Sequence, residues 1–174
     1  MSGRNSEPVY LSLGGNLGDP AKSMGAALRL LDSTPGVEVV AVSSLYRTPP
    51  WGKTDQPDFL NAAAELRTSL APRALLDACL DAERKLKRVR AERWGPRLID
   101  IDILVFGGQV IHESGLEIPH PRMFERAFVL VPFAEIAPML VMGGKPLADH
   151  LSSIDLSGIE RLDSRRDWWQ AALS

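Results

Sequence analysis

The chain reads as an α+β protein, its main elements falling in the order strand, helix, strand, strand, helix, strand. Two signals predict this. Apolar or β-branched runs of strand length lie at 9–13, 37–46, 59–68 and 98–106. Between them, beginning near 20 and 72, apolar residues recur at helical spacing and mark one buried face on each helix. A length of 174 residues is expected to make one domain with a substantial core.

Val9 to Leu13 is the first strand, and Gly14-Gly15-Asn16-Leu17-Gly18 follows it. Asp19-Pro20 then supplies an N-cap and a proline at the first helical position. Met24, Ala27, Leu28 and Leu31 form the apolar face of this helix, which Thr34-Pro35-Gly36 ends. The glycine-rich turn has neither the Lys-Ser/Thr of a phosphate loop nor the dinucleotide spacing, so it reads as a plain tight turn. Val37 to Tyr46 is the second strand. Arg47 to Asp58 is a long proline-rich loop of the kind that carries function, and its Trp51 is either a lid residue or packed on the core.

Phe59 to Thr68 is the third strand, with Phe59, Asn61, Ala63 and Glu65 sharing a face by alternation. A stacking surface beside an amide that both donates and accepts can hold a heterocycle. A core phenylalanine beside a turn-satisfying asparagine is the plainer alternative. Pro72 opens the second helix, whose stripe is Leu75, Cys79, Ala82, Leu86 and Val89. Glu83 falls on or beside that apolar side. It is expected either to pair with Lys87 at i+4 or to orient an arginine or ligand hydroxyl at one edge of a site.

From Arg84 the chain turns basic, and Arg88, Arg90, Arg93 and Arg97 lead toward the fourth strand. In that strand alternation puts Leu98, Asp100, Asp102 and Leu104 on one face, with Ile99, Ile101, Ile103 and Val105 on the other. Two aspartates side by side in so apolar a strand would lose hydration and repel unless a cation lies between them. A hard divalent ion, Mg²⁺, suits two oxygen ligands. The guanidiniums and indole of Arg93-Trp94-Gly95-Pro96-Arg97 suit a phosphorylated, flat-ringed ligand. The alternative is an edge strand with a solvated acidic face.

Gln109 to His112 is a short strand, 118–122 an extended loop, and Phe124 to Ile136 a helix kinked at Pro132. His120, near Arg122 and Arg126, either contacts phosphates or is simply exposed. His112, His120 and His150 show no zinc-ligand spacing. A short helix near Leu147 and the Trp168-Trp169 end read as packing. No internal repeat is evident.

A net charge of -2 argues against a general nucleic-acid binder. The sole cysteine, Cys79, excludes an internal disulfide framework and fits a reducing compartment. Met1 to Glu7 has no signal-peptide apolar segment, and the apolar region 127–142 is broken by Pro132, Glu135 and Pro138. A cytoplasmic protein is expected.

Taken together, Thr48-Pro49-Pro50, Phe59-Leu60-Asn61, the Arg88 to Arg97 segment with Arg-Trp-Gly-Pro-Arg, Asp100-x-Asp102 and Pro119-His120 strongly resemble the 6-hydroxymethyl-7,8-dihydropterin pyrophosphokinases of folate synthesis. The similarity runs from about Val9 to Leu140, and the Arg-Trp-Gly-Pro-Arg…Asp-x-Asp block is its most specific part. The resemblance implies a ferredoxin-like fold, an antiparallel sheet with flanking helices. It also implies a single pyrophosphokinase domain over 1–174, with a core at about 9–142 and a C-terminal extension over 143–174. Gly15 stands where a serine is frequent in the family, Phe59 where tyrosine is also seen, Trp51 where an aliphatic residue is usual, and Pro121 where some members have an aromatic. None of these touches the two acids.

The implied reaction is transfer of a pyrophosphoryl unit from ATP to the hydroxymethyl group of the pterin, with release of AMP. By resemblance Asp100 and Asp102 hold two Mg²⁺ ions, and Arg88 and Arg97 contact phosphates as catalytic groups. Glu83, Arg90, Trp94, His120 and Arg126 match nucleotide-side positions. Thr48, Pro49, Trp51, Phe59, Asn61 and Phe128 match the pterin pocket. The expected partners are ATP and 6-hydroxymethyl-7,8-dihydropterin, with neither nucleic acid nor membrane; a monomer is favoured, though the oligomeric state lies beyond the sequence. The rivals are a nucleic-acid-binding module, against which the acidic pair argues, and a pterin or nucleotide sensor without turnover.

Overall fold

The computed structural model describes residues 7–50, 55–90, 99–163 and 166–170, with main chain only at 88–90 and 163. In chain order the elements are β1 (Glu7–Gly15), α1 (Pro20–Asp32), β2 (Val37–Val42), β3 (Leu45–Thr48), β4 (Phe59–Thr68), α2 (Pro72–Arg90) and β5 (Asp100–Phe106). A hairpin of β6 (Ile111–Glu113) and β7 (Leu116–Ile118) leads through a 3-10 turn at Met123–Glu125 to α3 (Ala127–Ile136). Then come β8 (Val141–Met142), β9 (Lys145–Pro146), α4 (Leu147–His150) and β10 (Glu160–Asp163).

The main sheet runs β10-β3-β4-β1-β5, with β2 pairing β4 beyond β3, and every pairing is antiparallel. This is the ferredoxin-like arrangement, because the first and third long strands lie together at the centre and the fourth closes one edge. Asp19 caps α1 as expected, accepting from Lys22 N–H at 3.2 Å, and Pro20 follows it. Met24, Ala27, Leu28 and Leu31 of α1 and Leu75, Cys79 and Ala82 of α2 bury against one sheet face. That face carries Val9, Leu11, Leu13, Ala62, Ala64, Leu66, Ile101 and Ile103. On the other face Val129, Leu130, Phe133 and Ala134 of α3 pack with Tyr10, Ala63, Leu104 and Val105. The Tyr10 and Phe133 rings meet at 5.0 Å.

Three departures from the expected elements have physical reasons. The second strand is broken into β2 and β3, because the Ser43 side chain enters the ladder and the Ser44 N–H is taken by a side chain from α3. Ala63 N–H donates to Ser43 Oγ at 2.9 Å, and Ser44 N–H donates to the Glu135 carboxylate at 3.1 Å. The face assignment of β5 holds only as far as Ile103. Tyr10 pairs with Val105 and Leu11 with Ile103, so Leu104 is the extra residue of a bulge. Val105 therefore joins Leu104 on the α3 face, and Phe106 returns to the other core. The helix expected from Phe124 instead begins at Ala127, because Arg126 is extended at φ -117°, ψ 103° and separates a 3-10 turn from α3.

Candidate active site

Antiparallel pairing places directly opposed residues on one face. Across β5, β1 and β4 this gives a row of Asp100, Gly14 and Asn61, which Tyr46 of β3 extends. The neighbouring rows are Asp102–Ser12–Ala63 on one side and Thr48–Phe59 on the other. With strands about 4.8 Å apart, the Asp100 and Asn61 backbones lie about 10 Å from each other. Between them Gly14 contributes no side chain. A Cβ there would come within 2.8 Å of Asn61 Oδ1. The glycine therefore lets the Asn61 amide lie close over the β1 backbone, with no β1 side chain between it and Asp100.

Asn61 is buried, and its Nδ2 donates to Thr48 Oγ1 at 3.1 Å. The amide is thus tied to a buried hydroxyl, with Phe59 next on the same face. Phe128, in the first turn of α3, is exposed, and the Arg126 guanidinium sits over its ring at 5.9 Å, a cation–π distance. Pro49 is exposed at the end of β3.

Asp100 is half-buried and Asp102 exposed. Behind them Glu83 reaches from α2 to accept a hydrogen bond from Ile101 N–H at 2.7 Å. Neither sequence expectation for Glu83 names this bond. Its carboxylate grips the backbone between the two aspartates, on the outer side of an edge strand. Burial pushes its carboxyl up; the Ile101 bond opposes that, while Asp100 and Asp102 add to it. Among the described residues no group of three or more His, Cys, Asp or Glu is set to share an ion. A pair of carboxylates is nonetheless the share a protein gives Mg²⁺ when substrate phosphates and water supply the other ligands. The hard oxygen donors of Asp100 and Asp102 fit that ion.

The bulge in β5 places His120. With Leu104 displaced from the ladder, its carbonyl accepts from His120 N–H at 2.9 Å. The ring Nδ1 accepts from Arg122 N–H at 3.2 Å, which leaves Nε2 as the protonated nitrogen of the neutral ring. Burial pulls the His120 pKa down, against the opposing charge of Asp102. His120, Asp102, Ile103, Leu76, Leu116 and Glu117 line a cavity of about 290 Å³, its lining mixed apolar and polar. A larger cavity of about 460 Å³ lies between α1 and α2, and none of the expected site residues lines it. Of the two, the smaller includes Asp102.

Thr48, Phe59, Asn61, Asp100 and Asp102 therefore share one sheet face, while Glu83 and His120 flank the acids. Trp51, Trp94 and Arg97 lie outside the described residues, as do the side chains of Arg88 and Arg90. Asn16, read only as part of a tight turn, also ties down the proline-rich loop. Its Nδ2 donates to Gln56 Oε1 at 2.8 Å and to the Pro57 carbonyl at 3.2 Å. In the sequence Glu135 stands out only as a break in an apolar run. A carboxylate in a helix otherwise this apolar needs partners, and that was the signal available.

Similarity to known proteins places the chain in a family. The family model for 7,8-dihydro-6-hydroxymethylpterin-pyrophosphokinase matches residues 10–138, and the chain belongs to that family. It is 53% identical over 155 residues to the 2-amino-4-hydroxy-6-hydroxymethyldihydropteridine pyrophosphokinase of Methylorubrum extorquens, covering 89% of this chain and 98% of the relative. Against the protein of the same name from Pseudomonas aeruginosa it is 46% identical, covering 88% and 96%. A solved Plasmodium falciparum HPPK-DHPS superposes with a TM-score of 0.72 at 16% identity. That match covers 92% of this chain and 50% of the solved one, so this chain spans half that length and the likeness is one of fold. The chain is an enzyme, a pyrophosphokinase of folate biosynthesis. Among the described residues no helix is long and apolar enough to cross a membrane.

Proposed function

We propose that the enzyme moves the pyrophosphoryl group of ATP to the hydroxymethyl oxygen of 6-hydroxymethyl-7,8-dihydropterin and releases AMP. The observation that carries this reading is the row Asp100–Gly14–Asn61, with an acid at one end, Asp102 in the next row, no side chain in the middle and a hydroxyl-bonded amide at the other end. The pterin edge presents ring nitrogens and an exocyclic amine, and Asn61 can answer both a donor and an acceptor there. Phe59 and Phe128 bracket the ring. The cavity beside Asp102 takes the adenine, its apolar walls from Leu76, Ile103 and Leu116 covering the faces of the base. The triphosphate then crosses the acidic end of the row toward the hydroxymethyl group.

Asp100 and Asp102 would hold Mg²⁺, two ions in this reading, which when bound neutralises phosphate charge and polarises the phosphoryl oxygens. The chain's own residues do the remainder. Glu83 holds the Ile101 backbone and with it the spacing of the two acids. Arg88 and Arg97 meet the charge that grows on the transferred and leaving phosphates. Asn61 and Thr48 hold the pterin so that its hydroxyl oxygen faces the β-phosphorus. The new O–P bond forms there as the bond from the β-phosphorus to the α–β bridging oxygen breaks, and the hydroxyl proton passes to solvent. Alignment and charge stabilisation supply the rate, since the alcohol is neutral and no covalent intermediate is required. The single domain, a monomer and a cytoplasmic location complete the reading, in keeping with the one buried, unpaired cysteine.

A coupled assay of AMP release from ATP plus hydroxymethyl-dihydropterin tests it. AMP formed only with both substrates and a divalent ion supports the proposal. Tight binding of both substrates without AMP would leave a sensor in place of an enzyme.

A further inference from the structure

We infer that Glu135 is a positioning residue for the pterin half of the site, acting through Tyr46 and Phe128. The inference rests on the proposed pterin pocket. Glu135 stands near the end of α3 with its side chain 9% exposed, yet its carboxylate is fully engaged. It accepts from Ser44 N–H at 3.1 Å, Ser44 Oγ at 2.9 Å, Tyr46 Oη at 2.7 Å and Arg166 Nε at 2.8 Å. These partners come from the break between β2 and β3, from β3 itself and from the C-terminal segment. One acid therefore joins three parts of the chain.

Two consequences reach the pterin pocket. Tyr46 pairs with Asn61 across the sheet and stands two residues before Thr48, so fixing its hydroxyl fixes the strand that holds the Thr48–Asn61 hydrogen bond. On α3, Glu135 follows Phe128 by seven residues, two turns that bring both to the same side of the helix about 10.5 Å apart along its axis. Phe128 is exposed, so its own packing does little to hold it. The apolar contacts of Val129, Leu130 and Phe133 keep α3 on the sheet, but such contacts are non-directional. The hydrogen bonds of Glu135 are directional and set the roll and axial position of the helix. The C-terminal segment takes part as well: besides Arg166, Trp168 Nε1 donates to the Ser43 carbonyl at 2.8 Å and clamps the same strand break.

The test compares Glu135→Ala, Glu135→Gln and Tyr46→Phe with wild type. Calorimetry measures affinity for 6-hydroxymethylpterin and, separately, for a non-hydrolysable ATP analogue, and thermal melting reports stability. Glu135→Ala is expected to weaken pterin binding about tenfold, equivalent to ~1.4 kcal/mol. Nucleotide affinity holds, Glu135→Gln restores part of the pterin loss, and Tyr46→Phe weakens pterin binding in the same direction. A melting temperature that falls with pterin affinity intact, or an equal loss for both ligands, would overturn the inference. If Glu135→Ala does not fold, an undiminished pterin affinity in Tyr46→Phe overturns it alone. Wild-type protein that binds nucleotide but no pterin would instead sink the proposed pocket, and the inference with it.

Discussion

Gly14→Ala places one methyl group between Asp100 and the Asn61 amide. The added Cβ would stand 2.8 Å from Asn61 Oδ1, against 3.4 Å for an ordinary contact, so the amide must retreat by 3.4 − 2.8 = 0.6 Å. Asn61 is buried and tied to Thr48 at 3.1 Å, so moving it disturbs that bond. Its retreat stretches that bond, which is worth about 0.5–1.5 kcal/mol. In affinity that is about a two- to tenfold loss for a ligand read by the same amide, since each ~1.4 kcal/mol is a factor of ten. Stability should fall on the same scale, lowering the melting temperature by about 2–4 °C per kcal/mol for a chain of this size. Calorimetric titration with 6-hydroxymethylpterin and with a non-hydrolysable ATP analogue separates the two halves of the site. The variant is expected to lose pterin affinity while holding the nucleotide. Unchanged pterin affinity, or the same loss for both ligands, would refute the reasoning.

Asp100→Asn and Asp102→Asn are expected to reduce turnover by at least about 10²–10³-fold, the usual effect of removing one electrostatic contact to a transition state. Full activity in either would remove the acids from the chemistry. Phe59→Ala should raise the pterin KM more than the ATP KM, and steady-state kinetics with each substrate varied would show the split. Acid unfolding tests Glu135. Burial alone would raise its carboxyl, but the bonds from Tyr46 and Ser44 and the Arg166 charge bring it below the usual 4.5. The unfolded chain then binds the proton more readily than the folded one. Its stabilisation is complete above pH 4.5 and is lost as pH falls through the folded pKa. Glu135→Gln should flatten the stability curve below pH 4.5, and a slope identical to wild type there would contradict the assignment.

The parts of this site that were legible in the sequence are those governed by local period. Alternation alone put Asp100 with Asp102 and Phe59 with Asn61, and helical spacing buried Met24, Leu28, Leu75 and Cys79 where the structure has them. What alternation could not supply was the pairing between strands. Gly14 looked like a turn residue because nothing local says that it lies between Asp100 and Asn61. The bulge at Leu104 was hidden for the same reason: an apolar run reads identically whether or not one residue is extra, yet the bulge moves Val105 and supplies the carbonyl that holds His120. Ser43 and Ser44 broke an expected strand because a carboxylate 91 residues away competes for the Ser44 N–H. Long-range partners of single polar residues were the information missing.

Positional labelling of ATP bears most directly on whether the enzyme transfers a whole pyrophosphoryl unit. With label in the α-, β- or γ-phosphate in turn, the β and γ labels should appear together on the hydroxymethyl-dihydropterin and the α label in AMP. Label transferred from the γ position alone, with ADP as the second product, would contradict it.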